Sequence, residues 1–106
     1  ADLPMEIWHS RDGISTYESL PEFLSALTEL KKTGAKLNAT YVYDKTTGLK
    51  LFGKTAFFVK TKDGYATFLR KPDADAYAKK AKGTVMGLDD AVADLGMTNN
   101  NLVAAH

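Results

Sequence analysis

The side chains of this chain that can do chemistry are few and soft. Met5, Met86, Met97, His9 and His106 are its whole complement of thioethers and imidazoles, and it has no cysteine. Thioethers suit Cu(I), and imidazole accepts Cu(I) or Cu(II). Met5, His9 and Met86 are therefore the candidate metal ligands, all on segments that read as strands. The competing role for Met5 and Met86 is core packing, since methionine fills irregular gaps. His9 shares an alternating face with Met5 and Ile7, and its competing role is that of a half-buried strand residue. His106 is terminal and reads as part of a flexible tail or a tag remnant. Without thiolates, the chain has no disulfide, no cysteine nucleophile and no Cys-based zinc or iron–sulfur site.

The carboxylates give no stronger signal. Asp73, Asp75, Asp89, Asp90 and Asp94 fall at helix starts or on helix faces, where they cap the helix and complement its dipole. No loop has calcium-site spacing. With one internal histidine, no Ser/His/acid set forms. The glycines stand singly, as turn and cap residues, and make no phosphate loop. A non-catalytic protein without a resident cofactor is expected, copper being the alternative.

The elements that must position these residues come as a repeat. Arg11-Asp12-Gly13-Ile14-Ser15-Thr16-Tyr17, then Pro21-Glu22, returns 51 positions later as Lys62-Asp63-Gly64-Tyr65-Ala66-Thr67-Phe68, then Pro72-Asp73. Each Asp-Gly sits between two β-prone runs, and glycine supplies the positive φ of a tight hairpin turn. Ser19-Leu20-Pro21-Glu22 fits a capping box. Phe23, Leu24, Leu27 and Leu30 make the helical stripe, closed by Lys31-Lys32 and Gly34. Thr40 to Tyr43 reads as a third strand before the turn-rich Asp44 to Gly48, with Leu49 to Lys54 as a connection. The second unit runs from a strand at 56–61 through a return at 65–69 to a helix opened by Lys71-Pro72-Asp73. That helix has the small stripe Ala74, Tyr77, Ala78 and Ala81 and ends at Gly83; a short strand at 84–87 and a helix capped by Asp89 follow. A unit of this size cannot bury its apolar face alone. The expected fold is α+β: two tandem ββαβ repeats, about 5–44 and 56–95, packed as one body with small mixed or antiparallel sheets. Residues 1–98 would form one domain and 99–106 a flexible tail.

Composition narrows the function classes. A net charge of +1, with acids and lysines interspersed, argues against a nucleic-acid binder. No apolar run approaches the roughly 20 residues of a membrane helix. A start at Ala1-Asp2-Leu3-Pro4 fits removal of a secretory signal, so a periplasmic or extracellular location is expected. Among the strand aromatics, Trp8 and Phe57 have opposite alternation phases. One of them is expected to be exposed, and beside Lys60 and Lys62 it would suit a partner surface.

Several strings resemble the NosL family, periplasmic copper-handling accessory proteins of nitrous-oxide reductase. They are Tyr41-Val42-Tyr43-Asp44 through Thr47-Gly48, Lys54-Thr55-Ala56-Phe57-Phe58-Val59, and Gly64-Tyr65-Ala66-Thr67-Phe68 through Asp73 to Lys80 and Gly83. The resemblance runs from about Trp8 to Leu95 and implies the tandem ββαβ scaffold. It does not carry the family's copper motifs. The cysteine-plus-methionine motif has no counterpart, and Thr61-Lys62-Asp63-Gly64 stands where a Pro-Met-Gly segment would. The resulting expectation is a non-catalytic exported binding or assembly module on a NosL-like scaffold, with another protein or itself as partner. The alternative is a periplasmic copper-binding protein using Met5, His9 and Met86.

Overall fold

Alternation of inward Met5 and Ile7 with outward Glu6 and Trp8 makes the first strand, β1 (Met5–His9). It pairs antiparallel with β2 (Gly13–Tyr17), Met5 opposite Tyr17 and His9 opposite Gly13. The computed structural model describes residues 4–11 and 13–95; Asp12, the first half of the first turn signal, lies outside them. Gly13 has φ 81° and its counterpart Gly64 φ 127°, a region that side-chain-bearing residues avoid. Each glycine opens the second strand of a hairpin.

Helix α1 (Leu20–Thr33) begins as its sequence requires. The Ser19 hydroxyl accepts the Glu22 N–H at 3.3 Å, Pro21 lies in the first turn, and Gly34 closes the helix in the left-handed region. Strands β3 (Leu37–Tyr43) and β4 (Lys50–Phe52) complete a sheet in the order β2-β1-β3-β4. A 3-10 turn over Gly53–Thr55 leads to β5 (Phe57–Thr61), β6 (Gly64–Phe68), helix α2 (Lys71–Ala81) and β7 (Thr84–Met86). These strands form a second sheet, β6-β5-β7. A last helix, α3, covers 88–95. Hairpin, helix, strand thus occurs twice, and every strand pair is antiparallel. The fold is α+β, with no parallel pair among the described residues.

The core is layered around α1, which packs on β1 and β2 of the first sheet and on β6 of the second. Phe23, Leu24 and Leu27 of α1 join Met5, Ile7, Val42 and Leu51 of the first sheet and Phe58, Ala91 and Val92 from the second half. Phe58 and Val59, adjacent on β5, face opposite ways: Val59 belongs to a smaller cluster with Ala66, Phe68, Ala74 and Ala78 under α2. The second sheet is therefore buried on both faces. One buried carboxylate ties the halves together. Asp44, 2% exposed, accepts the Leu69 N–H at 3.0 Å on one oxygen and both the Thr47 N–H and hydroxyl, at 3.0 and 2.6 Å, on the other. Beside it the Thr67 hydroxyl donates to Tyr43 O, and the Lys45 N–H donates to Thr67 O.

The structure corrects several sequence-based boundaries. β3 starts at Leu37 rather than Thr40, because Leu37 and Ala39 pair with β1. The connection at Leu49 to Lys54 contains β4. Helix α2 is closed by Lys82 at φ 57°, not by Gly83. Gly83 serves close approach instead: a Cβ there would lie 2.6 Å from the Lys60 carbonyl oxygen. Gly87, not Asp89, heads α3, its carbonyl accepting the Ala91 N–H at 3.0 Å.

The two helices differ in what they bury. Leu27→Ala, emptying a large site in the main core, is expected to cost about 2–5 kcal/mol, against roughly 1 kcal/mol for Ala78→Gly from propensity; denaturant melts compare them. Gly83→Ala has no flexible neighbour to yield at the Lys60 carbonyl. It is expected to lose about 1–3 kcal/mol in the same melts, despite the better helix and strand propensity of alanine.

Candidate functional site

The outward face of the first sheet carries the densest group of exposed or half-exposed aromatic side chains. Across the register, Ile14 stands opposite Trp8, Glu6 opposite Tyr41, and Tyr41 opposite Phe52. The Trp8 and Tyr41 rings meet edge to face at 5.4 Å, and Tyr41 and Phe52 lie tilted at 5.3 Å. Such geometries are favoured by the ring quadrupoles. Lys50 bends over this row, its ammonium 4.6 Å from the Tyr41 centroid and 6.0 Å from that of Trp8. It donates to Glu6 Oε1 at 3.1 Å, and the Trp8 indole N–H donates to the same oxygen at 2.8 Å. These bonds, the indole's first, lower the Glu6 pKa against the opposing effect of burial, and Glu6 in turn raises that of Lys50. A charged pair thus pins the aromatic row in place. Phe52, 59% exposed, and Ile14, 55% exposed, leave apolar surface at its two ends.

Sequence alternation expects either Trp8 or Phe57 to be exposed, and both are half-buried. Lys60 is engaged with Asp94 at 2.6 Å. Phe52 was hidden in a segment read as a connection. Its signal is the outward Lys50, inward Leu51, outward Phe52 alternation directly after the Gly48 turn.

The candidate ligands are spread through the fold. Met5 and His9 occupy the two ends of β1, four residues apart, which at strand rise is about 13 Å. Met5 is buried in the main core. Met86 lies on β7 in the other sheet and packs against the same cluster. His9 Nε2 is 2.9 Å from Ser15 Oγ. That is the spacing of a base and a nucleophile, but among the described residues no carboxylate orients the imidazole. No group of three or more His, Asp or Glu able to hold a metal ion occurs among the described residues. Met97 and His106 lie outside them.

A cleft of about 440 Å³ opens where the halves meet, lined by Met5, Glu18, Tyr43, Lys45, Tyr65 and Thr67. Much of its polar wall is committed to the fold. Thr67 binds the Tyr43 carbonyl, and the Tyr65 hydroxyl donates to Asp94 at 2.7 Å. Burial, then the Asp94 carboxylate, pushes the Tyr65 phenol well above its usual value. Lys60 and Tyr65 hold Asp94 below the usual carboxylate range.

No family model and no curated protein matches this sequence. Among solved structures, the fold is similar to the crystal structure of the copper chaperone NosL from Shewanella denitrificans. The TM-score is 0.68 at 19% identity, over 81% of this chain and 75% of that one. The fold is NosL-like. At this identity the likeness is one of architecture. The NosL-like scaffold accounts for the buried interior; the aromatic row lies on its outside.

Acid should loosen the Asp44 contacts that join the halves and the Asp94 contacts within the second half. For Asp44, burial is the largest influence and raises the pKa, but the Thr47 hydroxyl and the Leu69, Thr47 and Thr46 amides together outweigh it and hold the group low. Asp44 and Asp94 are both depressed. Their stabilisation is therefore complete above the unfolded carboxylate pKa of about 3.9 and lost as pH falls through the folded values. Asp94→Asn is expected to lower stability at neutral pH and flatten the fall below about pH 4, read by melting midpoints across an acid series.

Proposed function

We propose that this chain is a non-catalytic, exported binding or assembly module on a NosL-like scaffold, working through the outer face of its first sheet. The observation that carries the reading is the Trp8–Tyr41–Phe52 row, held by Lys50 and Glu6 and left open at Phe52 and Ile14. Aromatic residues are enriched in protein interfaces, and rigid aromatics lose little conformational entropy on being covered. The Lys50–Glu6 pair adds a polar element that fixes orientation more than it adds affinity. A periplasmic or extracellular location is part of the proposal; among the described residues no helix is long and apolar enough to cross a membrane.

A second reading is favoured by the structural neighbour, which is a copper chaperone. In that reading Met5, His9 and Met86 serve a metallochaperone as Cu(I) ligands. The spacing along β1 weighs against a single ion held by both Met5 and His9.

Two measurements separate the readings. On the first, immobilised protein retains its partner from a periplasmic extract, Phe52→Ser abolishes retention, and a Met5/His9/Met86 triple alanine variant keeps it. Trp8, the sole tryptophan, reports the contact by its emission. EDTA then leaves the melting midpoint unchanged, since the described residues build no group of His, Asp or Glu able to hold a metal ion. Stoichiometric Cu(I) binding under reducing conditions that is lost in the triple variant would replace the first reading with the second.

A further inference from the structure

The four sheet edges are not treated alike. β4 and β7 are three-residue strands, too short to recruit much. The outer side of β6 is covered by the segment after β3: Lys45 N–H donates to Thr67 O, and Leu69 N–H to the Asp44 carboxylate. β2 has none of these protections. It is five residues long, is paired on one side to β1 alone, and Gly13-Ile14-Ser15-Thr16-Tyr17 contains no charge and no proline. Edge strands are ordinarily blunted by lysine, proline or a bulge, because an open row of N–H and C=O groups templates another strand. Ile14, 55% exposed, stands on this edge.

The charges flanking β2 select the strand that would join it. Arg11 precedes the strand and Glu18 follows it, and neither makes an ion pair among the described residues. An antiparallel copy of β2 brings each Arg11 to the end that carries the other chain's Glu18. A parallel copy would set like charges together. The two-fold that performs this lies perpendicular to the sheet, so the same faces of both chains align. With the dyad through Ser15, Ile14 stands opposite Thr16 of the second copy and diagonal to its Ile14, and the exposed isoleucine is covered.

We propose that this chain also joins a second copy of itself, β2 to β2 in antiparallel register, to give one continuous sheet with four strands from each copy. This contact is separate from the aromatic face and goes beyond the binding-module reading. The joined sheets present the two aromatic rows on one side.

Sedimentation equilibrium of the full chain, from about 1 µM to about 1 mM, tests it. The wild type is expected to pass from monomer to dimer, with the β2 amides exchanging more slowly as dimer forms. Ile14→Lys, at an exposed site that leaves the circular dichroism spectrum unchanged, is expected to weaken the dimer by about tenfold or more. An equimolar mixture of Ile14→Lys and Ile14→Glu chains should recover it. A wild type that stays monomeric throughout overturns the proposal. So does a dimer indifferent to Ile14→Lys, which would have formed elsewhere. Neither result touches retention through Phe52, so the binding-module reading stands or falls on its own measurement.

Discussion

The structure depends on Asp44. It is nearly inaccessible to water, and a carboxylate can stay ionised in such a place only if hydrogen bonds replace its hydration. The donors come from both sides of the molecule: Thr47 from its own loop and the Leu69 amide from the end of β6. A single charge therefore fixes the loop after β3 and locks it to the second sheet. The same contact covers the β6 edge, which leaves β2 as the long edge still open. The joining of the two sheets thus depends on one buried group.

Much of this architecture was legible in the residues. The Asp-Gly signal repeated at 51, and Gly64 and Gly13 both start the second strand of a hairpin. Ser19, Pro21 and Gly34 mark α1 because local backbone chemistry decides where a helix begins and ends. What failed were features set by contacts distant in sequence. A three-residue strand such as β4 has too few residues to show a period, and its partner β3 supplies the register. Gly83 carries the mark of a helix end, but its position answers to the carbonyl of Lys60 across the sheet, and Lys82 adopts the left-handed conformation instead. Asp44 had the composition of a turn residue, and nothing local announced the Leu69 amide 25 residues on.

The candidate site was less legible for the same reason. Methionine and histidine attract notice by type, yet chemistry requires convergence, and β1 holds Met5 and His9 apart. The aromatic row is the converse case: Trp8, Tyr41 and Phe52 are unremarkable singly and far apart in sequence, and three strands in register assemble them. The interior of this NosL-like fold is given to packing, and the aromatic row lies on its outside.

The two sheets share no strand. Every partner in the first lies between Met5 and Phe52, and every partner in the second between Phe57 and Met86. A chain that emerges N-terminus first therefore has every strand of the four-stranded sheet, with α1 to cover it, before β5 appears. Until β6 arrives, the Asp44 loop lacks its second set of donors and α1 has one face bare. The pairings of the first sheet thus need nothing from the second half, which packs over α1 through β6. A chain ordered this way is least protected during the interval in which β2 is already paired and the second half has yet to close.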